Sequence, residues 1–221
     1  MRRYLFLLGF TLLHVTGSLF AQSPMRFAKD VNTIKEFDKM YAPPEHPILF
    51  VGSSSIRKWD DLERNFSSYV VLNRGVGGAI TNDVTYFAND IIFPYHPRQV
   101  VIYVGENDIV DEKATADSLL QRFKVLYTTI RSKLPETPLV YISMKPSPSR
   151  VKYVDKVKQS NALIKDYISK EKHIVYVDIF SLMLDKTGKS REELFLNDML
   201  HMNKKGYAIW EKAVQPHLLK K

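Results

Sequence analysis

Five short runs rich in β-branched and aromatic residues punctuate the chain, at residues 48–51, 69–72, 100–104, 139–142 and 174–177. Each is apolar without alternation, which reads as a strand buried on both faces rather than one with a wet side. The stretches between them follow a different period. Leu119, Phe123, Leu126, Tyr127, Ile130 and Leu134 recur at three- and four-residue steps and stop before Pro135, so they form one apolar helical stripe. Segments 79–90, 152–171 and 203–219 read the same way. Strand and helix therefore alternate along the chain, a pattern that predicts an α/β fold: a flavodoxin-like three-layer α/β/α sandwich around a five-stranded parallel sheet.

With 221 residues, 45% apolar and 25% charged, the chain suits a single globular domain. Its beginning reads differently. Met1-Arg2-Arg3 precedes an uncharged, mostly apolar run from Tyr4 to about Val15 and a small residue at Ala21. That run is too short for a span of about 20 residues and has the form of a signal peptide, residues 1–21, leaving one domain over 22–221 and an exported, periplasmic or extracellular product. No stable membrane insertion is expected after cleavage. Residues 22–44, with Ile34 and Phe37 at helical spacing before Pro43-Pro44, predict an N-terminal helix packed on the domain. The absence of cysteine excludes lipid attachment at a lipobox and any disulfide.

The formal charge of +8 falls to +6 once Arg2 and Arg3 leave with a segment that contains no acid. The lysines are scattered over helix faces, with no basic block or aromatic platform, so no nucleic-acid partner is expected.

In a parallel sheet, ligands gather at the carboxyl ends of the strands. Gly52-Ser53-Ser54-Ser55 follows the first run, Asn73-Arg74-Gly75-Val76-Gly77-Gly78 the second, Gly105-Glu106-Asn107-Asp108 the third and Lys145-Pro146-Ser147-Pro148 the fourth. Ser54, in a strand-to-helix turn, is exposed beside the N–H groups of the new helix. A hydroxyl needs a base to act as a nucleophile, and His201, three residues after Asp198, can supply one if the carboxylate holds its other nitrogen. Gly78 and Asn107, with the N–H of Ser54, can offer donors to an oxyanion. Each feature has a plainer role open to it: a capped turn for Asp198 and His201, a tight turn for the glycines, an Asx-turn for Asn107.

Together, Phe50-Val51-Gly52-Ser53-Ser54-Ser55, Asn73 to Gly78, Tyr103 to Asp108 and Asp198-Met199-Leu200-His201 resemble, in order, the four blocks of the SGNH (GDSL-like) hydrolases. Lys145 to Arg150 and Gly206-Tyr207-x-x-Trp210 are similar to an envelope-associated bacterial branch of that family. The resemblance implies a serine esterase with Ser54, Asp198 and His201 as catalytic residues and Ser54, Gly78 and Asn107 as the oxyanion hole. It implies no cofactor and no metal. One residue departs from the pattern, Ser53 standing where the family has Asp, and Ser53 and Ser55 remain fallback nucleophiles. An ordinary α/β-hydrolase elbow would need Gly where Ile56 stands.

Arg57, Arg74, Glu106 and Arg150 lie in or beside the blocks and either contact substrate or brace loops. The expected partner is a small-molecule or glycan ester, short acyl groups on a carbohydrate being preferred over a lysophospholipid or thioester. Two other readings use the same residues. One is a protein that binds an anion or glycan at Gly52 to Ser55 without chemistry. The other is a metal-dependent hydrolase using Asp108, Asp198 and His201, with His96, flanked by Pro94 and Pro97, a loop residue.

Overall fold

The computed structural model describes residues 24–220, with side chains from Arg26 onward; the segment read as a signal peptide lies outside them. Five strands, β1 (Ile48–Gly52), β2 (Val71–Gly75), β3 (Gln99–Tyr103), β4 (Leu139–Ile142) and β5 (Ile174–Val177), form one parallel sheet in the order β2-β1-β3-β4-β5. The helices are α1 (Ala28–Met40), α2 (Ser54–Arg57), α3 (Leu62–Asn65), α4 (Thr81–Tyr86), α5 (Ala88–Ile91), α6 (Ala116–Lys133), α7 (Val154–Ile168) and α8 (Lys204–Val214). Strand and helix alternate as the periodicity required, and the α/β sandwich is observed.

The two-residue period of the strands divides the core. Leu49, Val51, Val100, Ile102, Leu139 and Tyr141 point to the layer containing α1 and α4 to α7. Ile48, Phe50, Val101, Tyr103, Val140 and Ile142 point to the layer built by α2, α3 and α8, where Trp59, Phe66, Tyr207 and Trp210 pack edge and face on one another. Burying each large side chain of this kind stabilises the fold by roughly 1.5–3 kcal/mol.

Helix α6 buries Leu119, Phe123, Leu126, Tyr127 and Ile130 as the stripe predicts. Its start is fixed by Thr115, whose hydroxyl accepts from Ser118 N (3.1 Å) while Ser118 Oγ accepts from Thr115 N (2.9 Å).

Four expectations need correction. Residues 79–90 form two short helices, α4 and α5, because Phe87 leaves helical geometry between them (φ −88°, ψ 11°). The second strand begins at Val71 and runs on into the glycine-rich block. Strand β5 is not covered on both faces: it is an edge strand paired only with β4, and Val175 is exposed. Finally, Phe37 lies on the outer face of α1, 55% exposed, while Phe27 and Val31 make the buried contacts and Ile34 packs at their margin.

Chain order reverses direction between β1 and β3, the first leading outward to β2 and the second outward to β4 and β5. That switch point opens a crevice at the carboxyl ends of β1 and β3, where the first and third blocks emerge. Among the described residues no helix is long and apolar enough to cross a membrane.

Candidate active site

Close contact between β1 and β3 sets the first turn. Gly52 ends β1 at φ 137°, and a Cβ there would fall 1.8 Å from the carbonyl oxygen of Tyr103, so only glycine fits. Ser53 follows in extended conformation, its N–H donating to that same carbonyl (3.0 Å), and α2 begins at Ser54. Ser53 and Ser55 are buried at 2% and 1% exposure, whereas Ser54 is half-buried and faces the crevice. Of the three serines, Ser54 is the one that meets the histidine.

The fourth block is a tight turn held by its own aspartate. Oδ1 of Asp198 accepts from the N–H groups of Leu200 (3.0 Å) and His201 (2.9 Å), and Met199 adopts a left-handed conformation between them (φ 52°). Asn203 then starts α8, its side-chain oxygen accepting from Lys205 N and Gly206 N. This geometry leaves Oδ2 of Asp198 2.6 Å from Nδ1 of His201, and Nε2 of His201 3.0 Å from Oγ of Ser54. An ionised carboxylate only accepts, so Nδ1 carries the ring hydrogen and Nε2 is left to accept from the serine hydroxyl.

Desolvation pushes the Asp198 carboxyl up, but hydrogen bonds from the His201 ring and from the His201 and Leu200 amides outweigh it. The acid is held well below the usual carboxylate range.

The glycine-rich block packs against α2, the helix that begins at Ser54. A Cβ on Gly75 would lie 2.3 Å from Arg57 N, so that glycine lets β2 approach α2, and Asn73 ties the two by donating to Ile56 O (2.7 Å). Gly78 follows in left-handed geometry, and the Asn107 amide donates to the next carbonyl, Ala79 O, at 3.0 Å. One N–H of that amide is thus used for positioning. On its other side, Oδ1 of Asn107 accepts from Nη2 of Arg150 (2.8 Å), whose Nη1 donates to the carbonyl of Glu106.

Glu106 points down into a buried cluster. It accepts from Tyr103 OH (2.6 Å), Lys145 Nζ and Ser147 Oγ, with Lys145 also buried, at 1% exposure. Burial pushes the Glu106 carboxyl up, yet the Lys145 and Arg150 charges and the hydrogen bonds from Lys145 and Ser147 win and hold it below its ordinary value. Burial draws the Lys145 ammonium below its own ordinary value against the pull of Glu106.

The four flanking residues thereby divide. Glu106 and Arg150 brace the Asn107 loop. Arg74 braces elsewhere, donating to Tyr95 OH (2.6 Å) and Asp38 and so joining β2 to α1. Arg57 is largely exposed, 3.6 Å from Asp30, with its guanidinium alongside Gly77.

Asp108 does not join Asp198 and His201 as the metal-dependent reading needs. It is buried and accepts from Thr81 N (3.0 Å), Thr81 Oγ1 (3.1 Å) and Arg122 Nη1 (2.9 Å). Among the described residues, no three His, Asp or Glu side chains are grouped to hold a metal. His96 caps a short 3₁₀ turn, its carbonyl accepting from His46 Nδ1. Sequence reasoning missed the pairing of Lys145 and Ser147 with Glu106; a lysine three residues past a fully apolar strand, at the carboxyl end of the sheet, is the signal that could have raised it.

A sequence model of the GDSL-like lipase/acylhydrolase family matches residues 50–209, which include all four blocks. The chain belongs to this family. This SGNH hydrolase is a carboxylic ester hydrolase. No curated protein matches it by sequence.

Solved structures share its fold. A protein from Streptococcus pneumonia described as a candidate platelet activating factor superposes with a TM-score of 0.76 at 20% identity, covering 86% of this chain and 92% of its own. A GDSL-like lipase from Bacteroides thetaiotaomicron gives 0.73 at 19% identity, covering 85% and 96%. A family 3 carbohydrate esterase from Clostridium thermocellum gives 0.62 at 17% identity, covering 79% and 97%.

Proposed function

We propose that this hydrolase cleaves short-chain acyl esters, acetyl esters on carbohydrates foremost, through a Ser54–His201–Asp198 triad. The observation that carries the reading is the continuous relay from Ser54 Oγ to His201 Nε2 (3.0 Å) and from His201 Nδ1 to Asp198 (2.6 Å).

Ser54 Oγ attacks the ester carbonyl as His201 Nε2 takes its proton, and Asp198 holds the ring in the required tautomer and stabilises the imidazolium. The tetrahedral oxyanion is met by the N–H groups of Ser54 and Gly78 and by the amide N–H of Asn107 that Ala79 does not use. His201 returns the proton to the leaving alcohol oxygen, the carbonyl re-forms, and an acyl-Ser54 remains. Water, deprotonated by the same histidine, then releases the acid. Arg150 on the amide oxygen draws electron density from Asn107 and strengthens its N–H as a donor. With Glu106 offset by Lys145, the Arg150 charge stands uncompensated behind the oxyanion hole.

Carbohydrate as the alcohol rests on the likeness to the Clostridium thermocellum carbohydrate esterase and on the exported character read from residues 1–21. A nitrophenyl ester series of increasing chain length, run beside acetylated glycans on wild type and Ser54→Ala, tests the reading. Acetyl and propionyl esters should turn over fastest with a burst of nitrophenol, and the variant should lose the burst while remaining folded. Folded wild-type protein that hydrolyses none of these esters would refute it.

A further inference from the structure

A cavity of about 890 Å³ lies at the carboxyl ends of β4 and β5, between the loop that leads into α7 and the loop of residues 184–193. That is the size range of small-molecule sites. None of Ser54, Asn107, Asp198 and His201 lines it, but its walls are fastened to Asn107 and to residues flanking His201. Arg150 reaches from the cavity wall to Asn107, Ser149 N donates to Met199 O (3.0 Å) in the histidine turn, and Asn203 donates to Glu193 O (2.9 Å).

The cavity has two chemistries. Its floor is apolar, made by Pro148, Val151, Val154, Val157 and Leu184, and Val151 is 69% exposed without a partner to explain it. Its rim is cationic. Lys158, Lys186, Lys189, Arg191 and the half-buried Arg150 stand against three carboxylates, Asp185, Glu192 and Glu193. Glu193 pairs with Arg191 Nε (2.8 Å), which removes one charge of each sign, and Asp185 is turned into its own loop, accepting from Thr187 N, Thr187 Oγ1 and Lys189 N, so cations still outnumber acids at the rim. Among the described residues the ammonium groups of Lys158 and Lys186 make no hydrogen bond or ion pair.

We infer that this cavity binds the alcohol portion of the ester substrate and that this portion is an anionic sugar, its C–H face on the valine and proline floor and its acid group at the lysine rim. The inference rests on the esterase reading above. It is the leaving group that extends this way, because His201 must stand beside the leaving oxygen to protonate it and both cavity walls are tied to the segment that carries His201, through Ser149 N to Met199 O and through Asn203 to Glu193 O. A carboxylate and a phosphate ester would satisfy the rim alike, since lysine recognises either as a point charge.

The test compares acetylated uronic-acid, sugar-phosphate and neutral oligosaccharides of equal length, on wild type and on K158A/K186A/K189A, with nitrophenyl acetate as control. Binding of the three deacetylated sugars is measured separately by calorimetry.

Anionic sugars should show kcat/KM and affinity about tenfold or more above the neutral one at low salt, and the preference should collapse in the triple variant and in high salt. Hydrolysis of nitrophenyl acetate should be unchanged by the substitutions. Whichever anion gives the larger preference identifies the acid group. Equal binding of neutral and anionic sugars, or a preference that survives the triple substitution, overturns the inference. Loss of nitrophenyl acetate hydrolysis in the wild type would strike the esterase reading, while the calorimetry would still decide the cavity.

Discussion

Lys145 and Glu106 form an ion pair with both side chains almost wholly out of water, 1% and 4% exposed, directly beneath the loop that carries Asn107. Removing one member of such a pair strands the other charge, at a cost of about 3–5 kcal/mol. In Glu106→Gln the ammonium loses its counter-charge and keeps only neutral acceptors, the new amide oxygen and the Tyr103 hydroxyl at 3.4 Å, so the loss should fall within that range. For a domain of this size it lowers Tm by roughly 10 °C. In Lys145→Met the carboxylate keeps the Tyr103 and Ser147 hydroxyls, and the loss should be smaller. The double variant strands no charge and should lose only about 1–2 kcal/mol, giving a coupling energy on the order of 5 kcal/mol.

The pH dependence of Lys145→Met has a definite sign. In the wild type Glu106 is held below its unfolded value, so its contribution is present above about pH 4.3 and fades as pH falls through the folded value. Without Lys145, only the Arg150 charge and the remaining hydroxyl donors oppose burial, and the folded value of Glu106 rises. The gap to wild type then narrows as pH falls from neutral toward pH 5. Urea unfolding of the four proteins at pH 7.5 and 5.5, with constant m-values, measures both effects. Additive single losses, or a gap that widens on acidification, would refute the reasoning.

Asn107→Ala should lower kcat by roughly a hundred- to a thousandfold with little change in KM, as expected for a donor used only in the transition state. Arg150→Met should lower kcat by about tenfold, with partial recovery in Arg150→Lys, while the thermal midpoint of the lysine variant stays near that of wild type; a change in KM alone would contradict a role behind the oxyanion. Asp198→Asn should cost about 10⁴ in kcat by favouring the wrong imidazole tautomer, followed with nitrophenyl acetate. Because Asp198 stays ionised far below pH 4, no loss of activity between pH 5 and 4 should trace to its protonation. Gly52→Ala should fail to give soluble folded protein or lose more than about 4 kcal/mol, since the added carbon meets the Tyr103 carbonyl in a strand-to-strand contact that cannot move aside.

The alternation of buried apolar runs with helical stripes is a property of residues close together in the chain, and it fixed the class of fold and the place of the unusual residues at strand ends before any tertiary information. The stripe from Leu119 to Ile130 is a local pattern and was legible as such. So was the turn of Asp198 and His201, two residues whose proximity the backbone itself guarantees.

Ser54 and His201 are different: 147 positions separate them, and their 3.0 Å contact follows from α8 packing beneath β1 and β3. Equally hidden was the exposure of Phe37, whose spacing alone could not say which side of α1 meets the core, whereas the order β2-β1-β3-β4-β5, which sets Ser54 beside Asn107, is the one the expected flavodoxin-like sheet implies. Arg150 is expected from the sequence to contact substrate or brace a loop, and it braces Asn107. The burial of Lys145 against Glu106 was not foreseen, because charge written along a chain carries no record of burial and only the closing of one loop over another turned that ammonium inward.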